Sequence, residues 1–385
     1  MLRSTLAKTL NPLPATFLRG GTSKGIFINR DHLPKDRNQW NPIFLGIMGS
    51  PDPEHGRQLN GMGGGISSLS KICVVGSPTS DQVSEGYDAE YTFVQVGIRD
   101  SSIDYSGNCG NLSSMIGVFA LDEGICTRTP TKSGSLTTRL FNTNTNKRID
   151  TTFPVSLSDD KMSPLLDLPQ VSMAGVPGRA SQITLDFINP AGARTGSLLP
   201  TGKPINLVDI TVQGKTTHIP ASLVDATNPT VFITADGLRP IVELSEGRSI
   251  DFSKPYVGEV LESIRQQGAR LMGLDPSAQA QPKIAVLSPS SDADYDITVH
   301  ALSMGVLHKA VPMTVGLCLG VAANIEGTVA WTLSSRESDS GGGLLKIKHP
   351  SGLVDVGADF EANGTVKSAK VVRTGRMLMR GAVWW

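Results

Sequence analysis

The sequence predicts an α+β protein in which many short strands surround two apolar helices, one in each half of the chain. Glycine is abundant at 41 residues and proline reaches 24, whereas aromatic residues make up only 5%. This composition is typical of tight turns and short strands rather than of a helical bundle. A chain of 385 residues is long enough for two or three domains with well-buried cores.

The charge balance bounds the classes of partner. The chain has 35 basic and 35 acidic residues, which argues against nucleic acid or an anionic membrane as partner, and no apolar run reaches the length of a membrane span. The six histidines are scattered, and the cysteines show neither CxxC nor zinc spacing, so we expect no metal and reduced thiols. A cytoplasmic location is expected, although Arg3 and Lys8 in an acid-free N-terminus also allow a mitochondrial one.

Two glycine-rich segments stand out in the first half. Residues 16–29 are predicted as a strand, a Gly-Gly-Thr-Ser turn and a second strand. Such a turn lets backbone N–H groups approach an anion, although a plain hairpin has the same pattern. The second segment begins at Asn60 and ends at Lys71, directly before the predicted strand 72–75. Lys71 is either a solvated surface lysine or a general base in a walled pocket, and its position alone fits both.

The turn Asn108–Asn111 opens a predicted helix. Apolar residues at 112, 115, 116, 119 and 120 predict a helix with one buried face. Ser106 and Asn108 are good N-cap types. Cys109 in the first turn would face unpaired N–H donors, which makes it a candidate for proton transfer, and the same donors can hold a carboxylate. Judged from these four residues alone, an inert buried cysteine is the commoner case.

The second half repeats this organisation. Strands are predicted at 205–212, 231–234 and 284–287. An amphipathic helix is predicted from Tyr256 to Met272, with one apolar side formed by Val257, Val260, Leu261, Ile264 and Leu271. A second, mostly apolar helix from Thr314 to Asn324 is expected to be buried all round.

Nine short motifs in order along the chain resemble the PrpF family, a branch of the diaminopimelate epimerase superfold. They are Phe17–Gly25, Met48–Asp52, Asn60–Gly64 with Ser70–Lys71, Asn108–Asn111, Asn142–Thr145, Gly175–Gly178, Thr195–Gly202, Ser303–Gly305 with His308, and Arg373–Arg376. The resemblance implies two pseudo-symmetric domains, each a mostly antiparallel, barrel-like sheet around a central helix. We expect one domain over residues 1–182 plus 371–385, the other over 183–370, and the active site in the cleft between them.

The resemblance also implies chemistry. Members isomerise unsaturated di- and tricarboxylates by allylic proton transfer without metal or organic cofactor. We therefore expect a cofactor-independent isomerase, with conversion of cis-aconitate to trans-aconitate as the first candidate. A 2-methylaconitate cis/trans isomerase, or an epimerase or racemase on the same fold, is the alternative. The expected partner is a small carboxylate, and a homodimer is compatible with the sequence.

Carried over by motif, Lys71 and Cys109 are the expected acid–base pair and Ser23 lines the substrate site. Further residues are expected to contact substrate carboxylates. They are Thr22, Asn60, Gly64, Gly65, Ser67, Asn108, Gly110, Asn111, Ser303, Met304 and His308. The chain departs from the family pattern at Arg179, where a small residue is usual, and at Thr314–Gly316, where Thr-Gly-Ala is usual. Each change affects either the fit of the substrate or the residues that support the substrate site.

Three rival functions make different demands on the sequence. A two-thiol racemase needs a second cysteine at the turn before the second apolar helix, whereas Cys318 falls inside that helix. A cysteine hydrolase could use Cys109 with His308, but Lys71 would then have no role. A metabolite-binding protein would need neither Lys71 nor Cys109.

Overall fold

The chain divides into two compact units. The computed structural model describes residues 11–126, 132–158, 161–212, 214–244, 248–279, 281–303, 305–334 and 344–385. The first unit comprises Met1–Leu185 with Arg373–Trp385, and the second comprises Asp186–Val372. Strands predominate over short helices in both, so the predicted α+β class is confirmed.

The elements of the first unit follow in chain order. Its strands are β1 (Leu13–Gly20), β2 (Ser23–Asn29), β3 (Lys71–Gly76), β4 (Ala89–Val96), β5 (Ile103–Asp104), β6 (Gly134–Asn142), β7 (Lys147–Ser158), β8 (Lys161–Pro164), β9 (Val171–Met173) and β10 (Val176–Ala180). Its helices are α1 (Trp40–Met48), α2 (Ser80–Ser84), α3 (Gly110–Ser113) and α4 (Ile116–Asp122). The predicted strand–turn–strand at 16–29 and the strand after Lys71 are confirmed.

The elements of the second unit begin with β11 (Ile183–Ile188), which crosses from the first. Its strands continue as β12 (Asn206–Val212), β13 (Lys215–Ala226), β14 (Asn228–Thr234), β15 (Lys283–Pro289), β16 (Ile297–Ser303), β17 (Val306–Leu307), β18 (Leu345–His349) and β19 (Gly352–Phe360). Its helices are α5 (Ala235–Leu238), α6 (Pro255–Leu271), α7 (Met313–Ala322) and α8 (Val329–Leu333). Strand β20 (Val366–Arg373) leads back to the first unit, where β21 (Gly375–Val383) pairs with β1.

The two units repeat one strand topology. In the first, β2 runs parallel to β3, β3 antiparallel to β4, β4 parallel to β6, and β6 antiparallel to β7. In the second, the same sequence of pairings joins β14, β15, β16, β18 and β19. The register agrees as well, because Ile26, Ile72 and Val94 are aligned in the first unit as Val231, Ile284 and Leu302 are in the second. The expected pseudo-symmetry is therefore present within the strand pairings.

Each unit has an outer helix and a buried central helix at matching points of this topology. Helix α1 lies between β2 and β3, where Trp40, Ile43 and Phe44 pack on apolar strand residues. Helix α6 lies between β14 and β15 and buries Val257, Val260, Leu261 and Ile264 in a second cluster. This apolar side agrees with the prediction except at Leu271. That side chain is 45% exposed because the helix ends there and Met272 turns inward instead.

The central helix of the first unit differs from its prediction. It consists of α3 and α4, with a break at Ser114–Met115, and every residue from Ile116 to Leu121 is buried. The prediction of a helix with a single buried face is therefore wrong. The reason is that α4 packs against β3, β4, β6, β7 and β8, which surround it. Cys109, rather than Ser106 or Asn108, occupies the N-cap position.

The central helix of the second unit was predicted correctly. Helix α7 spans Met313–Ala322, and its residues from Val315 to Ala322 are all buried. Its N-cap residue is Pro312, the position that corresponds to Cys109 in the first unit. No helix in the described ranges is long and apolar enough to cross a membrane.

The central helices offer a matched test of packing. A methyl group added at Gly117 of α4 would overlap Thr138 Oγ1 and come within 3.0 Å of Phe153 Cε1, whereas at Gly316 of α7 the nearest atoms lie 3.6 Å away. We expect Gly117→Ala to lower the free energy of unfolding by about 1–3 kcal/mol through overpacking. Gly316→Ala should raise it by up to about 1 kcal/mol through helix propensity.

Urea unfolding followed by circular dichroism measures both effects. Equal changes in the two variants would contradict the difference in packing.

Candidate active site

Lys71 is a buried lysine held by neutral groups. It is the first residue of β3, and the residue is 7% exposed. Its Nζ donates a hydrogen bond to Gln95 Oε1 and lies 5.0 Å from the centroid of the Phe93 ring. Of the two possibilities that the sequence allowed, burial excludes the solvated surface lysine, and the role of general base stays a prediction.

Cys109 lies half-buried at the start of α3, against the first residue of β2. Its Sγ is 3.9 Å from Ser23 Oγ, and Ser23 is 3% exposed. The carbonyl of Cys109 accepts a 2.9 Å hydrogen bond from the Ser113 N–H. Because α3 has only four residues before the break, local N–H groups contribute more here than the dipole of a long helix.

Asn111 links this thiol to the glycine-rich turn and to an arginine. Its Nδ2 donates to Thr22 Oγ1 at 3.1 Å and to Ser23 Oγ at 3.5 Å, while its Oδ1 accepts from Arg373 Nε at 3.0 Å. A side chain at Gly21, which has φ +53°, would overlap the Asn111 amide. The turn therefore needs glycine for both its conformation and this close approach.

Arg373 places a buried positive charge beside the site. The residue is 8% exposed. Burial lowers the pKa of Arg373 to about 10, and the negative charge of the Cys109 thiolate acts in the opposite direction. The sequence showed Arg373 only as part of a motif, and its role near Cys109 was not predicted.

The start of β2 lies between the two predicted catalytic residues. A Cβ added at Gly25 would come within 2.9 Å of the Lys71 carbonyl oxygen and 2.7 Å of Leu112 Cδ1. Burial raises the pKa of Cys73, two residues after Lys71, well above its usual range. The Cys109 charge raises that pKa further and Lys71 lowers it. Lys71 and Cys109 thus belong to one electrostatic neighbourhood of the first unit.

The second glycine-rich segment is held by a buried glutamine that the sequence analysis missed. Gln58 is fully buried at φ +55°. Its Nε2 donates to Ser50 Oγ and Ser70 Oγ, both at 2.8 Å, and its Oε1 accepts from the Gly65 N–H at 3.0 Å. The predicted contact residues Asn60, Gly64 and Ser67 are exposed. A regular spacing of apolar residues around Gln58 could have indicated that it is buried. The glycine-rich segment has no such spacing, so nothing in the sequence indicated this role.

Other predicted contact residues have mixed surroundings. Asn108 Oδ1 accepts from Tyr91 Oη at 3.2 Å and Ser113 Oγ at 3.1 Å, which ties the turn to the strands below it. Gly110 begins α3 and is half-buried. Together with Thr22, Ser23 and Asn111, these residues lie around Cys109. Their roles in substrate binding stay predictions.

Two of the predicted residues, Ser303 and His308, lie in or next to the second unit's strand β16. Ser303 ends this strand, and Met304 lies outside the described residues. His308 is half-buried, and its Nδ1 accepts a 3.1 Å hydrogen bond from the Ala310 N–H. This contact gives His308 a structural role. The cleft location of the active site stays a prediction.

The structure distinguishes among the rival functions at the second central helix. The position that corresponds to Cys109 is Pro312, and Cys318 is fully buried inside α7. Burial raises the pKa of Cys318 to about 12. A two-thiol racemase therefore lacks its second thiol. Within the described parts of the chain, no group of three or more His, Cys, Asp or Glu residues could hold a metal ion.

Both departures from the family pattern have local structural contacts. Arg179 is exposed, and its Nε donates to the Pro169 carbonyl at 2.9 Å, which fixes the β9–β10 hairpin to the preceding segment. The Thr314 carbonyl accepts a 2.9 Å hydrogen bond from Thr227 Oγ1. These contacts favour a role in support at both positions.

Replacing Arg373 is expected to slow alkylation of Cys109. Arg373→Met removes a buried positive charge that favours thiolate, so the rate with iodoacetamide at pH 7 should fall by about tenfold, and Arg373→Lys should restore part of it. Mass spectrometry of the Cys109 peptide gives the rate. The exposed Arg376→Met is the control, and an unchanged rate in Arg373→Met would show that Arg373 does not act on the thiol.

Asp52 makes the turn before the second glycine-rich segment sensitive to acid. Its carboxylate accepts from the N–H groups of His55, Arg57 and Gln58 at 2.8–3.1 Å, and these bonds lower the pKa of Asp52 from 3.8 to about 2. Its stabilising effect is complete above pH 3.8 and is lost as the pH falls through about 2.

Asp52→Asn should therefore speed hydrogen exchange at residues 55–58 at neutral pH. Asp100→Asn, which removes a similar turn contact to Ser102, is the control. Equal protection of residues 55–58 in wild type and Asp52→Asn would contradict this role.

Comparisons with known proteins agree with this architecture. The profile of the PrpF protein family matches residues 11–385. A 2-methyl-aconitate isomerase of Shewanella oneidensis is 35% identical over 402 residues, covering 96% of each chain. A 3-methylitaconate isomerase of Eubacterium barkeri is 32% identical and covers 97% of each.

A solved structure supports the fold as well. The crystal structure of methylitaconate-Δ-isomerase superimposes with a TM-score of 0.83 at 31% identity, covering 97% of this chain and 95% of that one. The alignment covers nearly the whole chain, and the family profile includes the segments that carry Lys71 and Cys109. The chain is therefore an isomerase that belongs to the PrpF family.

Proposed function

We propose that the protein shifts the double bond of an unsaturated tricarboxylate by allylic proton transfer, using Lys71 and Cys109 as the acid–base pair. The observation that carries the proposal is the placement of a buried lysine and a half-buried thiol around the start of β2 in one unit. Each group of such an acid–base pair increases the reaction rate by roughly 10²–10⁴-fold. The reaction needs no redox step, since only a proton and a double bond move.

The chemistry balances without a further reactant. A base removes a proton from the methylene group next to the double bond, and the electron pair moves across the allylic unit. The adjacent carboxylates take up the negative charge as a dienolate. A proton then returns at the former vinylic carbon, and the product is an isomer of the substrate. On the cis-aconitate frame, this shift gives trans-aconitate.

The developing negative charge is the main barrier, and the site offers groups to stabilise it. Cys109 is surrounded by hydrogen-bonding groups. They are the Ser23 and Thr22 hydroxyls, the Asn111 amide and the N–H groups at the start of α3. A well-placed donor of this type lowers such a barrier by about 3–4 kcal/mol. The buried Arg373 adds a positive charge on the same side. These groups support binding of a polyanionic acid.

Two tricarboxylates are the candidates for the substrate. Conversion of cis-aconitate to trans-aconitate is the expectation from the sequence. A relative named 2-methyl-aconitate isomerase, at 35% identity, favours the methylated acid. The two acids differ by one methyl group and share the allylic unit and all three carboxylates. The same acid–base pair would serve either, so the choice depends on contacts to that methyl group.

Proton NMR in D₂O is expected to identify the substrate. With the correct acid, wild-type protein should form the isomeric acid, labelled with deuterium from solvent. Separate incubations with cis-aconitate and 2-methylaconitate compare the two candidates directly. Turnover of neither acid, by protein whose fold is verified by circular dichroism, would contradict the tricarboxylate proposal.

Removing either catalytic residue should lower kcat by about 10²-fold or more. The variants are Lys71→Ala and Cys109→Ser. The lysine control is Lys283→Ala, which changes the first residue of the corresponding strand β15. The thiol control is Cys126→Ser. Wild-type kcat in both Lys71→Ala and Cys109→Ser would show that these residues do not carry the reaction.

A further inference from the structure

Gln95 is the residue directly opposite Lys71 in the sheet. The two are register partners in the antiparallel pair β3–β4, so their side chains leave the sheet on the same face. Gln95 is half-buried. It lies two residues after Phe93 in β4, and the centroid of the Phe93 ring is 5.0 Å from Lys71 Nζ. The oxygen of the Gln95 amide therefore lies against Lys71 Nζ.

The orientation of the Gln95 amide is fixed by its other partners. Its Nε2 donates to the Ser70 carbonyl at 2.9 Å and the Ser67 carbonyl at 3.3 Å. Its Oε1 accepts from Lys71 Nζ and from Ser67 Oγ, the latter at 3.1 Å. A reversed amide would place NH₂ against an ammonium and oxygen against two carbonyls. The surroundings thus allow only the orientation in which the oxygen faces Lys71.

The charge of this acceptor matters as much as its position. An amide oxygen accepts a hydrogen bond from a lysine without a formal negative charge. A carboxylate at the same place would hold the lysine in its protonated form. In the described part of the chain, no Asp or Glu side chain lies within ion-pair distance of Lys71. Lys71 is therefore held in place by an acceptor that carries no formal charge.

We propose that Gln95 is the positioning residue for Lys71: it holds Nζ in one orientation through a neutral acceptor, so that Lys71 both releases and takes up a proton. This inference rests on the proposed function of Lys71 as an acid–base group. Gln95 itself acts through Lys71 and exchanges no proton with substrate.

A purely structural role for Gln95 is the competing explanation. Gln95 also fixes the 3₁₀ turn Ser67–Leu69, which joins the glycine-rich segment to β3. Loss of this turn would lower activity whatever happened to Lys71. The two roles differ in what they predict for protonation, because only the positioning role makes the effect depend on the charge of residue 95. The other ionisable groups that act on this neighbourhood are Cys73, Cys109 and Arg373, and all three are unchanged in the variants below.

Two substitutions of opposite electrostatic effect test the proposal. Gln95→Glu places a carboxylate on Lys71, so Lys71 should titrate about 1–3 pH units higher than in wild type. Gln95→Met removes the acceptor at similar size, so Lys71 should titrate about one pH unit lower. The exposed Gln39→Glu and Gln39→Met, at the N-cap of α1, are the matched controls and should leave the titration unchanged.

The readout is NMR of protein labelled with ¹³C at lysine Cε, with Lys71→Arg to assign the Lys71 signal. The pH profile of kcat/KM is measured in parallel. The midpoint of the limb that reports Lys71 should move in the same direction as the titration of the Lys71 signal. Shifts of opposite sign in Gln95→Glu and Gln95→Met support the proposal. Shifts of the same sign, or none, overturn it. If Gln95→Glu does not fold, a shift of Gln95→Met to lower pH decides alone.

The experiment also separates this inference from the proposed function. If the Lys71 signal shifts as expected while the limb of kcat/KM stays in place, Gln95 positions Lys71 but Lys71 does not carry the reaction. If the limb moves without the Lys71 signal, the positioning role is overturned and Lys71 is not the group that the limb reports.

Discussion

The site depends on one close approach, between the turn after β1 and the start of the central helix. Only glycine fits at residues 20 and 21, because Asn111 lies against both. From this contact Asn111 reaches Thr22 and Ser23, and Ser23 lies against the Cys109 thiol. The strands that surround α4 hold the other end of the same segment. The position of the thiol is therefore set by packing rather than by a flexible loop.

The repeated topology shows how the start of the central helix, where the proposed catalytic thiol lies, differs between the two units. Each unit presents a buried central helix after the same series of strand pairings. The first unit has a thiol at the helix start, and the second has Pro312. The two units thus share a lysine at the start of corresponding strands, Lys71 in β3 and Lys283 in β15, and differ at the thiol. This difference suits transfer of a proton between two unlike carbon atoms better than inversion at a single carbon.

Much of the fold could be predicted from local patterns. Helix α1 spans the predicted Trp40–Met48 because Gly49 ends it in the left-handed conformation. Helix α7 could be recognised as buried from its apolar composition alone. The complete burial of α4 could not be predicted, because it results from strands that pack on all sides. Lys71 and Cys109 were proposed as an acid–base pair from the motifs that resemble the family, and this role stays a prediction.

The supporting residues were missed for a physical reason. Gln58, Gln95 and Arg373 act through contacts between segments far apart in sequence, such as the hydrogen bond from Arg373 to Asn111 across 262 positions. A glutamine within a strand has no local signal that distinguishes it from a solvated one. Its role follows only from the carbonyl groups and the ammonium around it.

Lys71 and Cys109 are proposed to act at opposite ends of one allylic unit. The most direct measurement is deuterium exchange from solvent into the methylene group of each isomer of the acid, catalysed by Lys71→Ala and by Cys109→Ser. Each variant keeps the residue at one end, so each is predicted to exchange the methylene protons of one isomer only, and the two variants to exchange different isomers. Exchange of the same isomer by both variants would show that the two residues do not act at opposite ends.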